Sequence, residues 1–347
     1  MIVVMETGAP KEQIEGVVNR VKEIGLSGHL IKGEERTIVG VVGLPLPPTL
    51  DEMLEVLPGV KQVVRITTKY KLAGWNFHPQ KTVFRVRDAL IGGDELTIIA
   101  GPCSVESEEQ TLATARAVRA AGATILRGGA YKPRTSPYEF RGLGKRGLEI
   151  LAMAREETGL AIITEVMSPA DVETVYEYTD IFQIGARNSQ NYLLIEEVGR
   201  AGKPVMLKRG LSMLTDEWLL AAEYVMAQGN AEVILCERGI RTFETATRNT
   251  LDVAAVPVIQ KQSHLPVFID PSHAAGKRPF VAALALAGVA AGCDGLMIEV
   301  HPNPDHALSD GNQSLDFQEF GELMPRIAAV AQAVGKRLPV AGEMSVV

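Results

Sequence analysis

Four side chains in this sequence are of types that bind transition metals together: Cys103, His273, Glu299 and Asp310. A thiolate, an imidazole and two carboxylates suit a divalent transition ion. They are scattered along the chain with no CxxC or HExxH spacing, so only a fold that returns repeatedly to one place can unite them. A second set is cationic: Arg127, Lys132, Arg134, Arg187, Lys208 and Arg238 each end or closely follow a short apolar run. Gathered over one surface, such cations repel one another unless a highly charged anion compensates them. The planar fork of Arg and the compact charge of Lys suit phosphorylated acids. Lys132 and Arg134 sit in "GGAYKPRTSPY" (128–138), where Pro133 and Pro137 restrict the loop and lower the entropy lost when it clamps a ligand. Singly, these residues have ordinary readings: a lone Cys is a small buried hydrophobe and a lone Arg a salt-bridge partner. His301 and His306 are further ligand candidates, for which a solvated loop role is the simpler reading.

The elements that must carry these residues follow from periodicity. Eight apolar runs end in polar residues: "TIIAGPCS" (97–104), "TILRGG" (124–129), "AIITEV" (161–166), "IFQIGAR" (181–187), "PVMLKR" (204–209), "EVILCER" (232–238), "PVFID" (266–270) and "GLMIEV" (295–300). Helical stretches separate them, one expected to start at Ser168-Pro169, an N-cap followed by proline. Eight β/α units in about 250 residues match a closed (β/α)8 TIM barrel better than an open doubly wound sheet, and no Gly-x-Gly-x-x-Gly opens the first unit. In such a barrel chemistry sits at the C-terminal strand ends, so Cys103, Arg127, Glu165, Arg187, Lys208, Arg209, Glu237, Arg238, Asp270, His273 and Glu299 form one ring. The seventh, eighth and first strands become neighbours on closure, which lets Cys103, His273 and Glu299 converge, with Asp310 in reach.

Residues 1–70 read as a separate unit. Strand-like "IVVM", "HLIKG", "TIVGVVG" and "VKQVVRIT" alternate with two helices, the second expected to carry a Thr49/Glu52 capping box, giving a βαββαβ order. That order indicates a small ferredoxin-like α+β domain, a shape shared with amino-acid-binding regulatory modules. "KYKLAGWNFHPQKT" (69–82) reads as a connector, 82–95 as a hairpin, and 71–347 as the barrel domain.

Composition narrows the function classes. The 347 residues are 46% hydrophobic and can bury a large core; 42 acidic against 35 basic residues argue against a nucleic-acid surface. The first ten residues lack a signal-peptide pattern, and the most apolar stretch, "VAALALAGVAAG" (281–292), is too short to span a bilayer, so the expectation is a cytoplasmic protein. Cysteines at 103, 236 and 293 cannot build a disulfide framework. Cys236 is read as packing rather than as a redox partner of Cys103.

The motifs "GPCSVES", "LRGGAYKPRTSPY", "QIGARNSQN", "LKRG", "LCERGIRTFE", "RNTLD", "DPSH" and "EVHPNPDHALSDGNQSL" resemble those of the 3-deoxy-D-arabino-heptulosonate 7-phosphate (DAHP) synthases, type Iβ branch, over essentially the whole chain. The resemblance implies a metal-dependent condensation of phosphoenolpyruvate with erythrose 4-phosphate, the first step of the shikimate pathway. It implies one divalent ion (Mn, Co, Fe or Zn) on Cys103, His273, Glu299 and Asp310, with Cys103 as a thiolate. Phosphoenolpyruvate contacts fall on Arg127, Lys132, Ala186, Arg187, Lys208 and Arg238, and erythrose 4-phosphate contacts on Pro133, Arg134, Thr135 and Ser136. Lys132 becomes a candidate proton donor and Glu165 a candidate organiser of water. Tyrosine or phenylalanine is the implied effector of the N-terminal domain, and a homotetramer the implied assembly.

Two rivals define the tests. A 3-deoxy-D-manno-octulosonate 8-phosphate synthase shares such a barrel, but its loop resembles KANRSS where this chain has KPRTS, and some members carry Asn where Cys103 stands. A non-catalytic amino-acid sensor would be expected to have lost ligands or clamp residues that are all present here.

Overall fold

Short Val- and Ile-rich runs and one amphipathic helix build the first of two compact units, Met1–Gln80 with Gln262–His264. The computed structural model describes residues 1–32, 37–43, 46–47, 49–64, 69–133, 136 and 138–339; Arg134, Thr135 and Pro137 lie outside the described residues. In this unit β1 (Ile2–Met5), α1 (Lys11–Glu23), β2 (Ser27–Lys32), β3 (Thr37–Val42), α2 (Leu50–Glu55) and β4 (Val60–Val64) follow in order. The sheet order is β2-β3-β1-β4, every pair antiparallel, as in a ferredoxin-like fold. Ile14, Val17 and Val21 recur at helical spacing on α1 and bury in one core with Val3, Met5, Val39 and Val41. The Thr49 capping box does not form: Thr49 sits at φ −98°, ψ 11°, without the extended geometry that aims a cap oxygen at the helix. Nor are residues 69–80 a bare connector, since Tyr70, Leu72, Ala73 and Phe77 are buried and fold as part of this unit.

The second unit runs from Lys81 to Lys261 and onward from Leu265. It begins with the expected hairpin, β5 (Phe84–Val86) and β6 (Ala89–Ile91). All eight apolar runs then become parallel strands: β7 (Thr97–Gly101), β8 (Ile125–Arg127), β9 (Ala161–Glu165), β10 (Ile181–Ile184), β11 (Val205–Lys208), β12 (Val233–Glu237), β13 (Val267–Ile269) and β14 (Gly295–Glu299). They close into a barrel because β14 pairs with β7, Leu296 opposite Ile98 and Glu299 opposite Gly101. Between and after the strands lie α3 (Glu108–Ala120), α4 (Lys145–Thr158), α5 (Val172–Tyr176), α6 (Tyr192–Ala201), α7 (Thr215–Met226), α8 (Ala255–Gln262), α9 (Pro271–Ala275), α10 (Arg278–Ala290) and α11 (Phe317–Ala333). Ser168 does not cap α5. A 3-10 turn at Pro169–Asp171 intervenes, and the Ser168 hydroxyl donates to Asp171 Oδ2 at 2.7 Å instead.

Inside the barrel, Ile99, Ile125, Ile163, Ile181, Met206, Ile234, Cys236, Phe268 and Met297 pack as one apolar cluster that also takes in Phe84, Val86 and Ile91 of the hairpin. Ile125 and Ile181 are the first residues of their strands, and the Thr97 hydroxyl at the start of β7 donates to Leu90 O at 2.7 Å. The hairpin therefore seals the N-terminal end of the barrel and leaves the C-terminal end for polar chemistry. Cys236 belongs to this packing, and burial pushes its thiol far above the ordinary range.

Candidate active site

Closure of β14 on β7 brings together residues that the chain holds nearly two hundred positions apart. One donor atom each of Cys103, His273, Glu299 and Asp310 lies within 4.8 Å of all the others. Each is held by its local structure. Cys103 follows β7 in a fully buried turn, Glu299 ends β14, and Asp310 adopts a left-handed conformation (φ 51°) at the head of a 3-10 turn. His273 is placed by the sequence Asp-Pro-Ser-His: Asp270 caps α9 by accepting from His273 N at 2.9 Å, with Pro271 in the first turn.

Asp270 does more than cap. Its Oδ2 faces His273 Nδ1 at 2.7 Å and accepts from Lys208 Nζ at 2.5 Å. A carboxylate on Nδ1 keeps the proton there and turns the lone pair of Nε2 toward the cluster, where Glu299 Oε1 lies 3.4 Å away. Burial acts to lower the His273 pKa, which favours the neutral, ligating imidazole. Burial, the largest single influence, opposes ionisation of Glu299 and Asp310, but it is outweighed by His273 together with Arg127 and Lys132 at Glu299, and by His273 together with the Cys103, Arg248 and Lys132 contacts at Asp310. Both carboxyls are held below their usual range. Burial, followed by the charge of Glu299, pushes the Cys103 thiol up to about 11. Without an ion it is a thiol, sitting 3.1 Å from Asp310 Oδ2 and 2.9 Å from Lys132 Nζ. The set fits a divalent transition ion in donor type and convergence, and a bound ion would displace the thiol proton.

Over this cluster opens a cavity of about 270 Å³. Among the described residues its wall carries Arg127, Lys132, Arg187, Lys208, Arg238 and Arg248 against the carboxylates of Glu139, Glu165 and Asp310, with Pro133 and Ala186 also lining it. Five of the six expected cations thus line one cavity, Arg134 lying outside the described residues, and their electrostatics are partly answered from within. Arg127 Nη1 pairs with Glu299 Oε1 at 2.8 Å and Lys208 with Asp270. Among the described residues Arg187 and Arg238 form no ion pair, and Arg127 Nε and Arg238 Nη1 are buried without a hydrogen-bond acceptor. Buried guanidinium N–H groups left open beside a cavity call for an anionic guest.

Arg209 is not part of this wall: its guanidinium turns to Glu237 at 2.9 Å, Asp252 at 2.7 Å and the Met213 carbonyl, so two members of the strand-end ring are structural. Glu165 does line the cavity, and Gln183 Nε2 lies 3.4 Å from its Oε2. Gly185 makes room for it, since a Cβ there would fall 2.0 Å from Glu165 Oε1. Ser136 is described outside the cavity lining, its hydroxyl accepting from Tyr138 N at 3.3 Å. His301 is a correction: it is buried, not solvated, with Nδ1 accepting from Asn303 N and Nε2 facing Glu106 Oε2 at 3.3 Å, while His306 is exposed. Arg248 and Gln313, which touch the metal-type carboxylates, and Gln183 and Glu139 were not singled out from sequence. The only signal for the first two was their presence in "RNTLD" and "DGNQS".

A closed parallel barrel with a thiol–imidazole–dicarboxylate cluster under a cation-lined mouth has the make-up of an enzyme site. Family models match the DAHP synthetase I family over residues 65–334 and the DAHP synthase ferredoxin-like domain over residues 1–68. The chain belongs to the DAHP synthetase I family. It is 49% identical over 338 residues to the phospho-2-dehydro-3-deoxyheptonate aldolase of Thermotoga maritima, covering 97% of this chain and all of that one. A crystal structure of the Thermotoga maritima DAHP synthase superposes with a TM-score of 0.78 at 48% identity, covering 97% of this chain and 99% of that chain. The 2-dehydro-3-deoxyphosphooctonate aldolase of Syntrophotalea carbinolica is 35% identical over 265 residues, which is 71% of this chain and 95% of the relative.

Proposed function

We propose that this protein condenses phosphoenolpyruvate with D-erythrose 4-phosphate and water, giving 3-deoxy-D-arabino-heptulosonate 7-phosphate and inorganic phosphate, the first step of the shikimate pathway. The observation that carries the reading is the four-donor cluster directly beneath the cation-lined cavity. The full-length likeness to a heptonate aldolase, against a likeness over about 71% of the chain to an octonate aldolase, favours the four-carbon sugar.

The reaction joins C3 of phosphoenolpyruvate to the aldehyde carbon, whose oxygen gains a proton. Water adds at C2 with loss of a proton, and the C2–O bond then breaks as phosphate leaves. Arg127, Lys132, Ala186, Arg187, Lys208 and Arg238 are assigned to phosphoenolpyruvate, the charge of the five cations balancing its phosphate and carboxylate and the set holding C3 in line for attack. Pro133, Arg134, Thr135 and Ser136 are assigned to erythrose 4-phosphate. Lys132, whose Nζ lies between the Cys103 carbonyl (3.1 Å) and the cavity, is suited to deliver the proton to the forming alkoxide. Glu165, on the cavity wall, is suited to orient the water that attacks C2 and to take its proton. Cys103, His273, Glu299 and Asp310 would hold one Mn, Co, Fe or Zn ion, which when bound supplies Lewis acidity toward the aldehyde oxygen. Residues 1–70 are assigned a regulatory role, with tyrosine or phenylalanine as effector, in a homotetramer.

Phosphate release from phosphoenolpyruvate, measured with erythrose 4-phosphate or arabinose 5-phosphate and with divalent metal or chelator, tests the reading. Metal-dependent release with the four-carbon sugar alone is expected. Preference for the five-carbon sugar would assign the octulosonate reaction, and silence with both would favour the sensor.

A further inference from the structure

The geometry points to Gln313 and Arg248 as positioning residues that decide which oxygen of each carboxylate faces the ion; this rests on the four-donor reading of the site. Gln313 is 2% exposed, so its amide must be satisfied within the protein. Its Nε2 donates to Glu299 Oε2 at 2.6 Å and its Oε1 accepts from Arg248 Nη1 at 3.0 Å. The reverse orientation would set oxygen against carboxylate and NH2 against guanidinium, so the two charged neighbours fix the amide. The same Arg248 nitrogen lies 3.3 Å from Asp310 Oδ1. Each carboxylate is thereby sorted. Glu299 Oε2 and Asp310 Oδ1 are engaged from outside, while Glu299 Oε1, which also accepts from Arg127 Nη1 at 2.8 Å, faces His273 Nε2 and Asp310 Oδ2 faces Cys103 Sγ.

Arg248 is itself fixed in place. Its backbone N–H donates to Ala275 O and that of Asn249 to Ala274 O, both at 3.0 Å, and the Asn249 amide donates to the His273 carbonyl at 3.0 Å. Gly276, at φ +65°, leaves the space its stem uses: a Cβ at 276 would fall 2.3 Å from Arg248 Cβ. Carboxylate torsions are soft, so without these outer partners Glu299, held then by Arg127 at Oε1 alone, turns Oε2 toward the ion as well, and the ion would lose a position that substrate or water needs.

The test titrates chelator-stripped full-length protein with Co2+ and reads both affinity and the visible spectrum, in which the thiolate-to-cobalt band reports Cys103 and the ligand-field bands report coordination number. Gln313→Met keeps volume and charge but removes both amide contacts. It is expected to bind Co2+ about 10–100-fold more weakly, with shifted ligand-field bands and the thiolate band retained. Should Gln313→Met fail to fold by circular dichroism, Arg248→Lys, which keeps the charge but lacks the guanidinium, reads the same link and is expected to shift the same bands with a smaller loss. Wild-type affinity and spectrum in whichever variant folds would overturn the assignment. A wild-type protein with no thiolate band would overturn the four-donor reading beneath it.

Discussion

Cys103 is the residue on which most of the site converges: it meets Asp310, Ser309 and Lys132 through its sulfur and Lys132 again through its carbonyl. Cys103→Ala is expected to abolish tight metal binding and reduce turnover at least about 100-fold. The barrel should survive the change, since little volume is lost from a polar turn. Unchanged metal-dependent activity in that variant would remove Cys103 from the ligand set. Glu165 offers a separate probe because its place depends on what Gly185 lacks. Gly185→Ala should push the carboxylate aside and lower kcat about 100-fold, the cost of an ångström-scale misplacement, while Co2+ affinity stays at the wild-type value. A loss of ion binding equal to the loss of rate would show that the change acts on the barrel and not on Glu165.

At the level of elements, α9 shows how local chain geometry and tertiary closure share the work. Its Asp-Pro-Ser-His start places His273 three residues after its own orienting carboxylate, and the same carboxylate draws in Lys208 from β11. A different element answers to pH. His264, in the short Gln262–His264 segment of the first unit, is 1% exposed. Its ring contacts the Leu72 carbonyl at 2.8 Å, and burial lowers its pKa from 6.5 to about 4. Between those values the unfolded chain binds a proton that the folded chain refuses, so His264 destabilises the fold progressively as pH falls from 6.5 toward 4. Its contribution is fully present above 6.5 and worth up to about 3 kcal/mol. Urea unfolding at pH 7.5, 5.5 and 4.5 should show His264→Gln losing less stability than wild type over that range. Parallel losses in the two proteins would count against the neutral buried imidazole.

At the level of the whole molecule, the two units have separate cores, one of sheet and helix in residues 1–64 and one inside the barrel. The described residues of the candidate site all belong to the second. Deleting residues 1–70 is therefore expected to leave phosphate release from the two substrates within a few-fold of wild type and to remove inhibition by tyrosine or phenylalanine. Inhibition that persists in the truncated protein would place the effector site on the barrel. No helix among the described residues is long and apolar enough to cross a membrane, and α10, the most apolar stretch, has thirteen residues.

The eight strands, the hairpin and the βαββαβ order were legible in the chain because each is a local pattern of apolar runs and breakers, and periodicity is a local property. The four metal-type donors and the cations were legible as residue types at strand ends, since a barrel turns strand order into a ring. The Thr49 cap was misread because a cap depends on backbone angles that the surrounding packing sets, whereas Ser168 has the extended angles of a cap before Pro169 but gives its hydroxyl to the Asp171 side chain. Arg209 and Arg238 are both strand-end cations, yet one turns to Glu237 and Asp252 while the other lines the cavity. His301 does lie in a loop, but Glu106 from beyond β7 stands beside its ring and the residue is buried rather than solvated. Periodicity and residue type determined the fold class and the chemistry of the donors, and the likeness of its motifs pointed to the family. Which oxygen faces inward, which arginine is spent on a carboxylate and which amide orients Glu299 were settled only by the packing of the closed barrel, because those choices rest on distances of about 3 Å between groups apart in the chain.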